Sequence, residues 1–207
     1  MSAAIPPPGP TTLVLIRHAH TLGNDGPTPA LSGRTDLPLS PRGLGEVCLL
    51  RQRLAGERFD ALYSSPLRRA RETAAAVACG APSLRLVAAL QEIDCGRLDG
   101  WSLDAVRREV PGLWAVNLRQ EDDRFRWPGG ESYREFRARC LRALRSLARA
   151  HPGARVAVVT HAGVISQVIG HITGAGAARW ETGRPATTAL TELEWWRGGM
   201  ARRCRPR

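Results

Sequence analysis

The chain has 207 residues, 43% hydrophobic and 24% charged, a mix that can fill one ample core and excludes a mainly disordered chain. Its formal charge is +11, and all 30 basic side chains are arginine. The complete absence of lysine reads as a composition bias rather than a binding code, although arginine does favour bidentate phosphate contacts.

Residues 1–10 read as a flexible, Pro-rich leader. Leu13-Val14-Leu15-Ile16 is a continuous apolar run of strand length and ends in Arg17-His18. Ser40-Pro41 marks a helix start and Gly56 its stop. Asp60–Ser64 reads as a strand, and Ser65-Pro66 as the start of a helix to about Cys79, carrying Arg68 and Arg69 in its first turn. Leu84–Val87 is a weaker strand, and Ser102 and Pro111 open two shorter helices. Residues 132–150 place Phe136, Cys140, Leu144 and Leu147 at helical spacing. Val156–Val159 is a second doubly apolar strand, ending in His161, with a helix over 162–173. Residues 186–196 alternate and predict a half-exposed antiparallel edge strand, and 197–207 read as a basic tail. The whole predicts a three-layer α/β/α sandwich on a mostly parallel sheet. One domain spans 11–196, with a short helical cap at about 100–130. No apolar run approaches the roughly 18 residues of a membrane span, and no signal peptide is evident, so a cytoplasmic, membrane-free protein is expected. The five cysteines (Cys48, Cys79, Cys95, Cys140, Cys204) are scattered without a CxxC pair, which supports neither a disulfide framework nor a zinc knuckle.

Open α/β sheets bind ligands beyond the carboxyl ends of their strands. If these strands are parallel, His18, His161, Arg17 and at least one of Arg68 and Arg69 meet there, beside helix N-termini that offer backbone N–H groups. Adjacent helical residues point about 100° apart, so Arg68 and Arg69 cannot both face the pocket. That set suits a phosphoryl group. A neutral imidazole can attack it, arginines can neutralise its oxygens, and a carboxylic acid, Glu92 or Asp94, can protonate the leaving alkoxide.

The motifs then resemble a family. Arg17-His18-Ala19-His20-Thr21-Leu22-Gly23-Asn24 is similar to the RHGxT/SxxN signature of the histidine phosphatase superfamily, the phosphoglycerate mutase-like proteins. The segment 32–40, the helix start at Ser64–Thr73, the Glu92 loop (90–96), Pro128–Ser132 and Val158–Val164 resemble five further motifs of that family in order. The resemblance implies a phosphoglycerate mutase-like fold and a phosphomonoesterase that forms phosphohistidine without a metal or other cofactor. It implies His18 as nucleophile, Arg17 and Arg69 as phosphoryl clamps, Asn24 as a further hydrogen-bond partner and His161 as the residue completing the pocket. It favours Glu92 over Asp94 as the proton donor. It places Thr21, Ser32, Gly33 and the Ala162 N–H against substrate.

Three positions depart from the family pattern: Ala19 and Ala162 replace glycines, which requires negative φ there, and His20 replaces an acidic or amide residue. His20 fits either a pocket wall or a solvated loop, while His151 and His171 read as ordinary histidines. Trp101, Trp114 and Trp127 fall in or beside the cap and are expected to pack as core or lid. Mutase-type phosphoryl transfer is the alternative within the superfamily, but Glu92 and His161 are only 69 positions apart, short of a mutase insertion. The alternative from another class is a catalytically weak nucleic-acid-binding or scaffolding protein on the same fold. The expected partner is a small phosphorylated metabolite; nucleic acid is not expected, and homodimerisation stays open.

Overall fold

A computed structural model describes residues 9–24, 28–78, 83–119, 122–174, 184–196 and 199–203, with the backbone alone at 202 and 203. The predicted leader therefore lies outside the described residues except for Gly9 and Pro10, as do Cys79 and Cys204.

Six strands form one sheet. In chain order they are β1 (Thr11–Arg17), β2 (Ala61–Ser64), β3 (Leu84–Leu86), β4 (Arg155–Thr160), β5 (Leu190–Trp196) and β6 (Gly199–Arg203), arranged β3-β2-β4-β1-β5-β6. The first four run parallel, β1 pairing with β4 from Thr12↔Arg155 to Arg17↔Thr160. β5 returns antiparallel to β1, with Leu13 opposite Leu193. Six helices complete the described chain: α1 (Pro41–Arg53), α2 (Arg68–Val77), α3 (Leu103–Glu109), α4 (Pro111–Arg119), α5 (Tyr133–Ala150) and α6 (Ala162–Ile172).

The central strands are apolar on both sides because both sides are covered. Leu13 and Leu15 join a core with Phe136, Cys140 and Leu144 of α5 and Val164 and Val168 of α6. Val14 and Ile16, one residue out of phase, pack against Leu50 of α1 and Ala70, Ala74 and Val77 of α2. Helix starts follow local chemistry. Ser40 caps α1 by accepting from the Gly43 N–H, with Pro41 at the first helical position. Ser132 and Glu135 form a reciprocal capping box at α5.

Two expectations need correction. The chain beyond 196 is not simply a basic tail: Gly199–Arg203 adds β6 antiparallel to β5, so β5 is an inner strand rather than the edge. Its Gly-rich, Arg-rich sequence hides the strand, since pairing to β5 comes from backbone hydrogen bonds that side chains do not announce. Second, Ser65-Pro66 does not start α2. The helix begins at Arg68 behind Leu67, and the Ser65 hydroxyl is engaged elsewhere.

Candidate active site

β1 and β4 end side by side, which brings His18 and His161 together with their ring centroids 5.1 Å apart, edge to face. The His18 N–H donates to the Thr160 carbonyl (2.9 Å), so the strand pairing itself continues into the site. Thr188 is the one described non-glycine residue with positive φ, so Ala19 and Ala162 both meet the conformational requirement set by their side chains.

The hydrogen bonds fix both imidazole tautomers. His18 Nδ1 lies 2.7 Å from the Ala19 carbonyl, which can only accept. Nδ1 therefore carries the proton and Nε2 the lone pair. Burial and the guanidiniums of Arg69 and Arg17 depress the His18 pKa well below its ordinary value, which keeps the ring neutral. His161 Nδ1 accepts from Arg69 Nε (3.2 Å), so its Nε2 is the donor to the Ser65 hydroxyl (2.8 Å). Its pKa is likewise depressed, by burial and then by Arg69. Both His161 nitrogens are thus committed within the protein, and the ring is fully buried. His161 thereby braces Arg69 and lies edge to face with His18.

Arg69, 2% exposed, also donates to the carbonyls of Thr35 and Gly33, both at 2.7 Å. Those two carbonyls sit on a loop gathered by one carboxylate. Asp99 accepts from the N–H groups of Gly33, Arg34 and Thr35 and from the Thr35 hydroxyl, at 2.8, 2.6, 3.1 and 2.8 Å. Gly33 is required here because a Cβ would collide with the Ile93 carbonyl. Its N–H donates to Asp99 and its carbonyl accepts from Arg69, so Gly33 helps position Arg69. Arg68, by contrast, turns outward and pairs with Glu72.

Arg17 donates through Nη1 to the Pro185 carbonyl (2.6 Å), while its buried Nε has no partner among the described residues. Its pKa falls to about 10, through burial and then the neighbouring Arg184, and it remains a cation at neutral pH. Glu92, 9% exposed, accepts from the Ile93 N–H (3.0 Å) and the Gly163 N–H at the start of α6 (2.9 Å). Burial raises its pKa in spite of those two bonds, which suits a proton donor. Asp94 is engaged differently, pairing with Arg34 and accepting from the Gly96 N–H.

These groups line a cavity of about 300 Å³. Arg17, His18, Arg69, Glu92 and Ala162 reach it, as do Thr21, Asn24 and Ser32. Asn24 Oδ1 accepts from both the N–H and hydroxyl of Thr21, which leaves its amide nitrogen as the donor to the cavity. Of the ten site residues expected from the sequence, Gly33 and His161 alone stand behind the cavity wall. His20 lies outside it too, bonded to Ser40 and Glu46. Sequence reasoning missed Arg184, Tyr133 and Asn117 on the cavity lining, and Asp99 and Ser65 in its support. Ser65 lies within the 64–73 motif, whose spacing does not announce its bond to His161, and the others belong to none of the motifs. Among the described residues no cluster of three or more His, Cys, Asp or Glu side chains could hold a metal ion.

The model of the histidine phosphatase superfamily (branch 1) matches residues 13–204. The chain belongs to that superfamily. It is 33% identical to a metal-independent phosphoserine phosphatase of Arabidopsis thaliana over 171 residues, covering 81% of this chain and 71% of that protein. It is 32% identical to phosphoserine phosphatase 1 of Hydrogenobacter thermophilus, covering 72% and 70% respectively. Among solved structures, Bacillus stearothermophilus YhfR superposes with a TM-score of 0.81 at 26% identity, covering 93% of this chain and 95% of that one. This histidine phosphatase is therefore an enzyme acting on small phosphomonoesters, and the mutase and nucleic-acid readings are not favoured. No helix among the described residues is long and apolar enough to cross a membrane.

Proposed function

We propose that the protein is a metal-independent phosphomonoesterase that works through a phosphohistidine on His18. The observation that carries this reading is the His18 Nδ1–H bond to the Ala19 carbonyl, which leaves Nε2 unprotonated on a side chain that lines the same cavity as Arg17 and Arg69.

In the first step, Nε2 attacks phosphorus, an N–P bond forms and the ester P–O bond breaks. The leaving alkoxide takes the proton held by Glu92. Arg69, Arg17 Nε and the Asn24 amide neutralise and orient the phosphoryl oxygens during this transfer. In the second step, water attacks phosphorus and gives its proton to the Glu92 carboxylate, and the N–P bond breaks to release inorganic phosphate. His161 holds Arg69 in place throughout. It must itself stay neutral, since a proton on Nδ1 would face the Arg69 N–H.

Relatives that carry a phosphoserine phosphatase name make phosphoserine the first natural ester to assay. The deciding experiment is turnover of 4-nitrophenyl phosphate by the wild-type chain and by His18→Ala, each with and without a chelator. Turnover that needs His18 and survives chelation is expected. Turnover retained by His18→Ala, or lost to the chelator and restored by zinc or magnesium, contradicts the proposal.

A further inference from the structure

Beyond the phosphoryl-binding groups, the cavity is lined by a different set of side chains. Leu31, Ile93, Leu103, Trp114 and Trp127 supply apolar surface, with Tyr133, Asn117 and Arg184 as polar members. Trp127 and Tyr133 are 2% exposed, locked with Phe125 into an aromatic cluster with ring centroids 4.9 and 5.2 Å apart. Trp114, on α4, is half-buried and has the Arg107 guanidinium 5.1 Å from its ring centroid. Arg107 is in turn bonded to Asp104, so the indole is steadied from the neighbouring helix. The Tyr133 hydroxyl donates to Asn117 Oδ1, which satisfies the phenol internally and leaves the Asn117 amide as the polar donor on this wall. Among the described lining residues Glu92 is the one carboxylate, and both its oxygens already accept backbone N–H bonds beside two arginines.

From this lining we infer that the enzyme selects phosphomonoesters whose organic half is apolar, best an aromatic ring one or two carbons from the ester oxygen, over esters of amino acids and polyols. The inference rests on the phosphomonoesterase reading and names its substrate class. An apolar group leaves water for a surface of leucine, isoleucine and tryptophan, and a ring can stack on an indole whose position is already set. A hydroxylated or zwitterionic group meets few polar partners there, the Asn117 amide and the Arg184 guanidinium, and must give up most of its own hydration to enter. An ammonium finds no described carboxylate on the lining to receive it, since Glu92 is spoken for. The cavity, at about 300 Å³, holds a phosphoryl group and a moiety of single-ring size, not an extended polymer. The phosphoryl end alone is indifferent to this choice, because its contacts are all to the group common to every monoester.

The test compares three monoesters of primary alcohols with the wild-type enzyme: 2-phenylethyl phosphate, glycerol 3-phosphate and phosphoserine. All three leave as alkoxides, so Glu92 is needed for each. The expected kcat/KM for 2-phenylethyl phosphate exceeds the other two by about 10-fold or more, the scale of apolar-pocket discrimination. Trp114→Ala is expected to shrink that ratio several-fold. Benzylphosphonate inhibiting competitively more tightly than methylphosphonate provides the same readout without any variant. Equal or higher kcat/KM for phosphoserine or glycerol 3-phosphate overturns the inference. It leaves the His18 reading intact as long as 4-nitrophenyl phosphate turnover still depends on His18, whereas the absence of all turnover removes both.

Discussion

At the strand ends every reacting group is held by something buried. His18 is fixed by the Ala19 carbonyl, Arg69 by three acceptors, and Glu92 by two N–H groups. Trp114 and Asn117, which line the same cavity, ride on α4, a nine-residue helix with no buried residue, tied to α3 by its turn and by Arg107. The contrast separates two jobs. Phosphoryl transfer needs sub-ångström placement, so its groups are braced by a second layer of hydrogen bonds. Recognition of the organic half needs shape and polarity, which a lightly anchored cap can vary without disturbing the chemistry.

The largest expected break is at the nucleophile. His18→Ala should lower kcat by roughly 10⁴-fold or more, measured with 4-nitrophenyl phosphate, with the circular dichroism spectrum retained. A small loss would mean that another group attacks. Next, Glu92→Gln should lower kcat/KM, which reports the phosphorylation step alone, for 2-phenylethyl phosphate by about 10²–10⁴-fold while affecting kcat/KM for the aryl ester far less, since 4-nitrophenolate leaves without a proton. Equal losses on the two esters would remove Glu92 from the proton-donor role.

Asp99 probes the second layer. It touches no reacting atom, yet it gathers the loop whose carbonyls hold Arg69. Asp99→Ala should cost about 3 kcal/mol, a drop of roughly 6–12 °C in Tm, with a fall in kcat rather than a rise in KM alone. Unchanged kcat would show that Arg69 does not need the loop. At the other extreme, Leu118→Ser on the exposed side of α4 (59% exposed) should stay within about 0.5 kcal/mol of wild type.

Stability should also respond to pH with a definite sign. His18 and His161 have folded pKa values below their ordinary 6.5, so below that pH the unfolded chain binds protons that the folded chain refuses. Their contribution is therefore fully present above about 6.5 and declines as the pH falls through the unfolded value toward the depressed folded one. Glu92 works in the opposite sense: its raised pKa favours folding most at low pH and loses that benefit as pH rises past the ordinary 4.5. Tm should fall between about pH 6.5 and 5, and the double variant His18→Ala/His161→Ala should flatten that slope.

Much of the inner region was legible from the sequence. Leu13–Ile16 and Val156–Val159 are apolar at every position, a pattern that needs helices on both faces, and each run ends in a histidine. Parallel pairing of those two runs puts the imidazoles together with no further information. Helical geometry allowed only one of Arg68 and Arg69 to face inward, and the family motif pointed to Arg69; in the structure Arg69 is buried and Arg68 pairs with Glu72 at the surface. What stayed hidden depends on contacts made at long range. Asp99 is one acidic residue among many until the 33–35 loop folds over it, and Arg184 reaches the cavity lining from a segment with no motif. β6 escaped notice because Gly-Met-Ala-Arg-Arg carries no alternation, and its strand state comes from pairing with β5. The bonds of His161 to Arg69 and Ser65 also stayed hidden, since their partners stand 92 and 96 positions away in the sequence.

The most direct test is to quench the enzyme during turnover of a phosphomonoester and map the phosphorylated peptide by mass spectrometry under alkaline conditions. The account predicts an acid-labile, alkali-stable phosphoryl group on His18, absent in His18→Ala and, with 4-nitrophenyl phosphate as the ester, accumulating in Glu92→Gln, where the leaving group needs no proton but water is no longer activated. A phosphoryl group found on His161 or Ser65, or no covalent adduct under conditions of full turnover, would contradict it.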